Sequence, residues 1–266
     1  TEALTGIGLT LPIITIITAF TNLFGMGGGP LFSIERGRGD TDRAGRIMGN
    51  SFSMLLLSGL ILMILCNLFK RPMLYLFGAS DQTYPYASAY ITVYLCGTLF
   101  VMISLGMNFF INAQGFGMIG MLTVSIGAVL NLILDPIFIF GLKAGVRGAA
   151  LATILSQAVS ALWVLRFLTG KQAIIPLRIS QMHLEIPLIR EICALGLAGF
   201  VMAITNGSVQ IMCNAMLARY GGDLYVGIMT VINSVREIIN MPIQGLTNGA
   251  QPVMSFNYGA RKYSRV

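Results

Sequence analysis

The stretch Pro30-Leu-Phe-Ser33-Ile-Glu-Arg-Gly37-Arg-Gly-Asp-Thr-Asp-Arg43 recurs near the other end of the chain as Pro252-Val-Met-Ser255-Phe-Asn-Tyr-Gly259-Ala-Arg-Lys-Tyr-Ser-Arg265, with the four numbered residues of each copy identical. Both copies close a long apolar stretch and lead into a basic segment. Self-similarity over so long a period is typical of membrane proteins built from repeats of several helices. The chain, which starts at Thr1, is therefore expected to hold one repeat unit and the opening of a second, within a longer protein of twelve helices.

The composition indicates a membrane protein. Hydrophobic residues make up 55% of the chain and charged residues only 10%, and the mean hydropathy is +0.78. A soluble domain usually carries more than twice that share of charge. Apolar runs near or above the roughly 20 residues of a spanning helix predict seven spans, at about 3–34, 47–69, 84–111, 118–141, 146–168, 189–218 and 224–256.

Lysine and arginine are distributed unequally between the two ends of these spans. One end carries eleven: Arg36, Arg38, Arg43, Arg46, Arg166, Lys171, Arg178, Arg190, Arg261, Lys262 and Arg265. The other end carries five: Lys70, Arg71, Lys143, Arg147 and Arg219. The positive-inside rule places the end with eleven cations in the cytoplasm. The net charge of +7 thus reflects membrane topology and indicates no nucleic-acid partner.

Cysteine and histidine offer little for metal or redox chemistry. Cys66, Cys96, Cys193 and Cys213 are scattered through apolar runs and are interpreted as small buried residues. With a single histidine, His183, and no CxxC motif, neither a metal nor a cofactor is expected beyond a transported ion.

The longest connector between spans, about 169–187, predicts the boundary between two lobes. Residues 1–180 are expected to form the first lobe without its first helix, together with the interlobe loop, and residues 181–266 to begin the second. An even number of spans separates the repeat copies, so they keep one orientation and are related by an axis along the membrane normal.

Asp135 is the most informative side chain, because an ionisable group within an apolar span costs at least a few kcal/mol unless it is paired or meets water. It lies one helical turn after Asn131, and Pro136 loosens the backbone beside it. A carboxylate, an amide oxygen and a freed carbonyl suit Na⁺ or a proton. The alternative is a capped helix end near Gly141, where Asp135 meets interfacial water.

Other polar residues recur at helical spacing, which indicates either contacts between helices or a lined cavity. The sets are Ser104, Asn108 and Asn112, then Thr153 and Gln157, then Asn206, Gln210 and Asn214, and finally Asn233, Glu237, Asn240 and Gln244. Glu237 is expected near the middle of the bilayer, where it would bind a cation or a proton, or pair with a helix beyond this chain. The substrate cavity candidates are Glu237, Asn206, Gln210 and Asn233.

Several motifs resemble the multidrug and toxic compound extrusion (MATE) family. They are Asn131-Leu-Ile-Leu-Asp135-Pro-Ile-Phe-Ile-Phe-Gly141, Gly145-Val-Arg-Gly-Ala-Ala-Leu-Ala-Thr153-Ile-Leu-Ser-Gln157, Met241-Pro-Ile-Gln-Gly245, Gly249-Ala-Gln-Pro252 and Asn257-Tyr-Gly-Ala260-Arg-Lys. The resemblance covers essentially the whole chain, as helices two to eight. It implies an all-α, polytopic bundle of twelve helices in two lobes of six.

The resemblance also implies a coupling site. In one branch of the family an ion-coupling site lies in the first lobe, at positions matched by Asp135, Asn131, Asn108 and Thr153. A further acidic residue of that site belongs to the first helix, which precedes this chain. The other branch places a glutamate in the seventh helix, whereas span 189–218 carries only amides between Glu191 and Arg219.

The expected function is export of drugs or organic cations by a Na⁺- or H⁺-coupled antiporter working by alternating access, in the plasma membrane of a bacterium, with antibiotic resistance as the consequence. Its partners are small-molecule drugs, the lipid bilayer and the remaining helices of the full-length chain. The alternatives are a lipid-linked oligosaccharide flippase of the same superfamily, which should have a cationic cavity, and a seven-helix receptor. Without paired histidines or a nucleophile beside a base, an enzyme is not expected.

Overall fold

The computed structural model of the chain describes residues 6–266; within its last helix, the side chains of residues 214, 215, 218, 219, 221–224, 226, 227, 230, 231 and 234 lie outside the description. The elements are α1 (Leu11–Arg38), α2 (Thr41–Leu68), α3 (Lys70–Leu76), α4 (Tyr84–Cys96), α5 (Thr98–Ala113), α6 (Gly117–Pro136), α7 (Gly145–Thr169) and α8 (Ile186–Gly259). A wide helical turn, Ile137–Gly141, extends α6, and short 3₁₀ turns lie at Ile179–Gln181 and Tyr263–Arg265. Over residues 6–266 there is no strand, which confirms the predicted all-α class.

Five helical segments in the described part of the chain are long and apolar enough to cross a bilayer. They are Gly6–Arg38, Thr41–Leu68, Gly117–Gly141, Gly145–Thr169 and Ile186–Cys213. A sixth forms if α4 and α5 act together, although they meet at an angle of 57°. The predicted third span, 84–111, is thus broken at Gly97, against which Ile154 of α7 packs. The predicted seventh span, 224–256, includes side chains outside the description and stays a prediction.

The helix α8 reverses its direction. Gly196 packs against Leu23 of α1, and Gly259 packs against Ile34 of the same helix. A straight helix would separate residues 196 and 259 by about 95 Å, whereas residues 23 and 34 lie only about 17 Å apart at about 1.5 Å per residue. Both arms of α8 therefore lie along α1, and the chain turns back between them.

The repeated segments contact each other reciprocally. A Cβ atom on Gly37 would overlap the carbonyl oxygen of Phe256, and one on Gly259 would overlap that of Ile34. Ile34 and Phe256 occupy the same place in the two copies of the repeat, and so do Gly37 and Gly259. Equivalent positions therefore exchange roles across this contact, as they do at a two-fold axis. Glycine is required because backbone meets backbone at both crossings.

A second close crossing joins α1 to the first arm of α8. Gly27 lies against the backbone of Ile192 and Gly196, and Gly196 lies against the backbone of Leu23. Small residues of this kind let helices approach closely in membranes, where packing rather than the hydrophobic effect drives association. The helix α1 is consequently the central element to which both arms of α8 attach.

The connector between α7 and α8 is packed against α2. The backbone N–H of Glu185 donates to Asn50 Oδ1 at 2.7 Å, and Ser53 Oγ donates to the carbonyl of Met182 at 2.8 Å. Arg43 pairs with Glu191 at 2.8 Å. An ion pair this exposed contributes about 0–1 kcal/mol, so the hydrogen bonds and the buried side chains of the connector matter more. The latter are Ala173, Ile175 and Leu177.

We call the end of the bundle that holds this connector the cation-rich end. The helices α1 and α2 meet there in a tight turn, in which Gly39 adopts a φ of 87° and Asp40 Oδ1 accepts the backbone N–H of Arg43 at 2.9 Å. The helices themselves continue to Arg38 and resume at Thr41, so the turn between them is shorter than the gap between the predicted spans 3–34 and 47–69.

The prediction that all cysteines are buried is also wrong in part. Cys66 is buried, Cys193 and Cys213 are half-buried, and Cys96 is exposed. Cys96 lies at the end of α4, beside the bend at Gly97. The change of direction there leaves its side chain outside the packed core.

Candidate functional site

Three of the four predicted coupling residues lie together near the end of the bundle opposite the connector. Asn131 Nδ2 lies 3.4 Å from Asp135 Oδ1 and 3.4 Å from Thr153 Oγ1. Asn131 and Asp135 share one face of α6, and Thr153 comes from α7. The Thr153 hydroxyl also donates to the carbonyl of Ala149 at 3.0 Å. A carboxylate, a hydroxyl and the amide of Asn131, whose nitrogen faces both oxygens, are thereby gathered at one point. We call Asp135, Asn131 and Thr153 the Asp135 group.

The backbone beside Asp135 is irregular. Pro136 has no N–H, so the carbonyl of Leu132 loses its usual helical partner. The chain then enters the wide turn Ile137–Gly141, in which the N–H of Leu142 bonds to the carbonyl of Ile137 at 2.9 Å. Wide turns of this type are frequent at functional sites in helices. The helix continues past Asp135 and ends at Gly141, so the alternative of a helix end near Gly141, with Asp135 in interfacial water, stays a prediction beside the coupling site.

Tyr90 of α4 also belongs to this site, and the sequence interpretation missed it. Its side chain is 9% exposed, and its hydroxyl lies near Thr153 and Asp135. The ring stacks on Tyr94 one turn later, with centroids 6.0 Å apart. The spacing of Tyr86, Tyr90 and Tyr94 along one helical face was visible in the sequence, but nothing in it indicated which helix they would meet.

Asn108 does not lie with the Asp135 group. Its Nδ2 donates to the carbonyl of Gly120 at 3.3 Å. Gly120 is eleven residues before Asn131 on α6, a distance of about 16 Å along a helix. The residue of α5 that does approach this part of α7 is Ser104, whose hydroxyl donates to Gln157 Oε1. The expected contact between Asn108 and Asp135 is therefore absent from the structure.

A cavity of about 680 Å³ lies at the cation-rich end, between α5, α6 and the second arm of α8. Its polar lining comprises Arg36, Asn108, Asn112, Asn248 and Asn257. Thus two residues of the α5 stripe line a cavity and also lie against Gly120 of α6, so both interpretations of such stripes apply here.

Arg36 joins three elements beside this cavity. Its guanidinium donates to the carbonyl of Ala113 at the end of α5, at 3.0 Å, and lies over the ring of Phe256, 5.1 Å from its centroid. An arginine held by a carbonyl and an aromatic face has a fixed position. Arg36 therefore ties α1 to both α5 and α8 at the point where the repeated segments cross.

The candidate residues for the substrate cavity are dispersed along α8. Asn206 and Glu237 are exposed, whereas Gln210 and Asn233 are half-buried. Within the described residues, no group donates to the buried Oδ1 of Asn233. None of the four lines the cavity at the cation-rich end. Asn214, which the stripe of amides also included, lies outside the described side chains.

The MatE family model matches residues 1–137 and 198–266. The chain belongs to the MatE family. Its relatives are transporters rather than receptors or enzymes, so the receptor alternative is wrong and the expectation of a non-enzyme is confirmed. Apolar spans and bacterial relatives together identify a multi-pass plasma-membrane protein.

Relatives of this MatE protein include multidrug export proteins. It is 32% identical over 264 residues to the multidrug export protein MepA of Staphylococcus haemolyticus, covering 97% of this chain and 57% of that protein. The MepA of Staphylococcus aureus strain MSSA476 is 30% identical over 261 residues, with the same coverage. The chain thus spans little more than half the length of these relatives.

Solved MATE structures superpose closely on the chain. The MATE multidrug transporter DinF-BH in complex with R6G gives a TM-score of 0.90 at 34% identity, covering 99% of this chain and 59% of that one. A MATE structure in complex with MaL6 gives a TM-score of 0.93 at 24% identity, covering 100% of this chain and 59% of that one. At that identity the likeness establishes the fold alone. The predicted membrane bundle of MATE type is confirmed.

Proposed function

We propose that the full-length protein exports drugs or organic cations across the plasma membrane in exchange for Na⁺ or H⁺, by alternating access. The single observation that supports coupling is the Asp135 group, in which one carboxylate lies 3.4 Å from an amide that also reaches a hydroxyl. Hard oxygen ligands suit small cations. One carboxylate among neutral oxygens favours a monovalent ion or a proton over a divalent cation.

The substrate class rests on the relatives. Proteins named for multidrug export are 32% and 30% identical to this chain, and a related structure holds R6G. These facts support a drug substrate, and the amides of α8 would contact it in the complete protein. Ion and drug would drive transport by stabilising different conformations, since a ligand shifts an equilibrium only through its differential affinity for the two states.

The conformational change would separate α1 from α8 at the cation-rich end. In this structure the reciprocal crossing of Gly37 and Gly259 closes that end, and Arg36 bridges it. Rigid rocking of one lobe against the other would break this contact while leaving the Asp135 group intact, because that group lies within α6 and α7. Ion binding at the Asp135 group and opening of the lobes at the contact between α1 and α8 are then separate events, and transport would couple them.

The proposal is tested by transport in reconstituted vesicles. Full-length protein in liposomes should expel a cationic dye when a Na⁺ or pH gradient is imposed, and not when the gradient is abolished by an ionophore. Dye movement that ignores every ion gradient would overturn the antiport proposal. Translocation of a lipid-linked oligosaccharide, without dye transport, would support the flippase alternative.

Membrane orientation gives a second prediction. In cysteine-free full-length protein, Thr41→Cys should react with an impermeant thiol reagent only from the cytoplasm, and Gln82→Cys only from outside, because the end with eleven cations should face inward. Both positions are exposed. Gly39 and Gly145 are less suitable positions for the two cysteines, because their φ values of 87° and 54° strain any residue other than glycine. The reverse labelling pattern would refute the orientation.

Glu237 gives a third prediction. If its exposed carboxylate faces the drug cavity of the complete protein, Glu237→Gln should weaken resistance to cationic drugs while neutral drugs are exported as before. Protein amount in the membrane is the control. A general loss of protein would instead identify a structural ion pair, since removing one partner of a buried pair costs about 3–5 kcal/mol.

A further inference from the structure

A row of polar side chains continues from the Asp135 group toward the cation-rich end. Thr153 and Gln157 lie one turn apart on the same face of α7. The oxygen of Gln157 accepts the hydroxyl of Ser104 on α5, and Ser104 is only 2% exposed. The row therefore passes from α6 to α7 at Thr153 and from α7 to α5 at Gln157 through contacts between side chains, and Thr153 and Gln157 are separated by one helical turn.

The row then follows α5 to the cavity at the cation-rich end. Ser104, Asn108 and Asn112 succeed one another at intervals of four residues, about 6 Å each along the helix. Asn108 and Asn112 both line the cavity. Gly120 of α6 makes room for them, because a Cβ atom there would meet the side-chain oxygens of both. We call Gln157, Ser104, Asn108 and Asn112 the amide row.

One atom of the amide row lacks a partner. Asn108 Oδ1 is buried, and no residue in the described part of the chain donates to it. An unsatisfied buried acceptor destabilises the folded protein, so its retention calls for an explanation. A buried acceptor oxygen without a donor, beside a cavity, can coordinate a passing cation.

The surroundings of the amide row are tightly packed. Met107, Phe110 and Ile111, on the other faces of α5, are fully buried. On the far side of the α6–α7 contact, Ser160 Oγ donates to the carbonyl of Thr123 at 3.1 Å. The amide row is thus a polar line between apolar walls. Together with the Asp135 group it extends about 22 Å along α6, from the level of Asp135 to that of Gly120.

We propose that the coupling cation, Na⁺ or hydronium, passes between Asp135 and the cytoplasm along the amide row, inside the first lobe, while the drug uses the route between the lobes. This inference rests on the proposed role of Asp135 in coupling. No covalent bond changes: the ion exchanges one set of oxygen ligands for the next. The bond between Ser104 and Gln157 closes the row in this structure, which prevents a leak while the cation-rich end is shut.

Two apolar substitutions in full-length protein test this route. Gln157→Leu removes the oxygen at the junction of α7 and α5, and Asn112→Leu blocks the row at the cavity. In reconstituted vesicles, each should lower gradient-driven dye efflux by about tenfold or more, equivalent to about 1.4 kcal/mol or more in the barrier. Dye-for-dye counterflow should stay within about twofold of the parent, an energy change below about 0.5 kcal/mol, because that exchange needs no ion release.

The matched control is Ser160→Ala. Ser160 is 3% exposed and makes a hydrogen bond between helices, as Ser104 does, but it lies off the amide row. Its efflux and counterflow should both match the parent. A general effect of losing a buried hydrogen bond would appear in Ser160→Ala as well, and the proposed route would then be unsupported and rejected.

Asp135→Asn, assayed in parallel, separates the two proposals. If Asp135→Asn abolishes ion-driven efflux while Gln157→Leu and Asn112→Leu retain it, the route is wrong and the coupling role stands. If Asp135→Asn retains efflux, the coupling role itself fails. Equal losses of efflux and counterflow in Gln157→Leu and Asn112→Leu would also overturn the route. If the Gln157→Leu protein does not accumulate in the membrane, the result with Asn112→Leu decides whether the route exists. The side chain of Asn112 is only half-buried, so its position tolerates replacement.

Discussion

Asp135→Asn in the full-length protein should abolish ion-driven drug efflux while leaving the protein folded and able to bind drug. Asparagine keeps the shape of aspartate and its contact with Asn131, but it neither attracts a cation nor carries a proton. A contact with a charged group is worth about 1.5–3 kcal/mol, so ion affinity should fall by about 10- to 150-fold. Dye efflux from reconstituted vesicles under an imposed Na⁺ or pH gradient measures the effect.

The matched control for this prediction is Asp81→Asn. Asp81 is an exposed carboxylate that accepts the hydroxyl of Tyr75 at 2.7 Å, away from α6 and α7. Its replacement should leave efflux unchanged, which would show that loss of one negative charge is not enough to stop transport. Efflux by Asp135→Asn at the parent rate would exclude Asp135 as the coupling group and direct attention to Glu237.

Gly37→Ala should prevent the cation-rich end from closing. The added methyl group would overlap the carbonyl of Phe256, a backbone atom that cannot move aside without shifting α8. Overpacking of this kind costs about 1–3 kcal/mol, which corresponds to a shift of about 5- to 150-fold toward the open conformation. Transport should fall accordingly, and Gly259→Ala should behave in the same way because its position is reciprocal.

The equilibrium between the closed and open conformations of the cation-rich end can be measured at Ser33, which is fully buried. In cysteine-free protein, Ser33→Cys should be inert to a thiol reagent applied from the cytoplasmic side, and it should become reactive when Gly37→Ala is added. Gly199→Ala is the control within the same pair of helices, because its methyl group would meet side chains and no backbone: the flexible Met26 at 3.0 Å from Sδ, and Asn22 at 3.8 Å from Cβ. Unchanged protection of Ser33→Cys in the Gly37→Ala protein would contradict this account of the crossing.

Several features of the site could be predicted because they are local. Asn131 and Asp135 are four residues apart, and the geometry of a helix alone brings such residues onto one face. The proline that follows loosens the backbone wherever the helix lies. Thr153 was assigned to the site only through the family resemblance, and the structure places it beside Asn131.

Other features could not be predicted because they depend on how far one helix slides along another. The polar stripe of Ser104 and Asn108 was visible, yet only the packing of α5 against α7 and α6 determined that Ser104 meets Gln157 and Asn108 meets Gly120. A shift of one turn, about 5.4 Å, would exchange their roles. Tyr90 was missed for the same reason, because its partner lies on another helix and the relative position of the two helices was unknown.

The sequence by itself determined that this protein is a helical membrane protein of the MatE family, because apolar length, charge asymmetry and motifs are properties of the chain read in order. It also determined that the segments 30–43 and 252–265 are equivalent. Only the tertiary structure decided that these segments contact each other through Gly37 and Gly259, and that Asn108 and Asn112 of the amide row line a cavity. The physical reason is that helices in a membrane associate through close packing of small residues and polar contacts, and these depend on the distances between atoms of different helices.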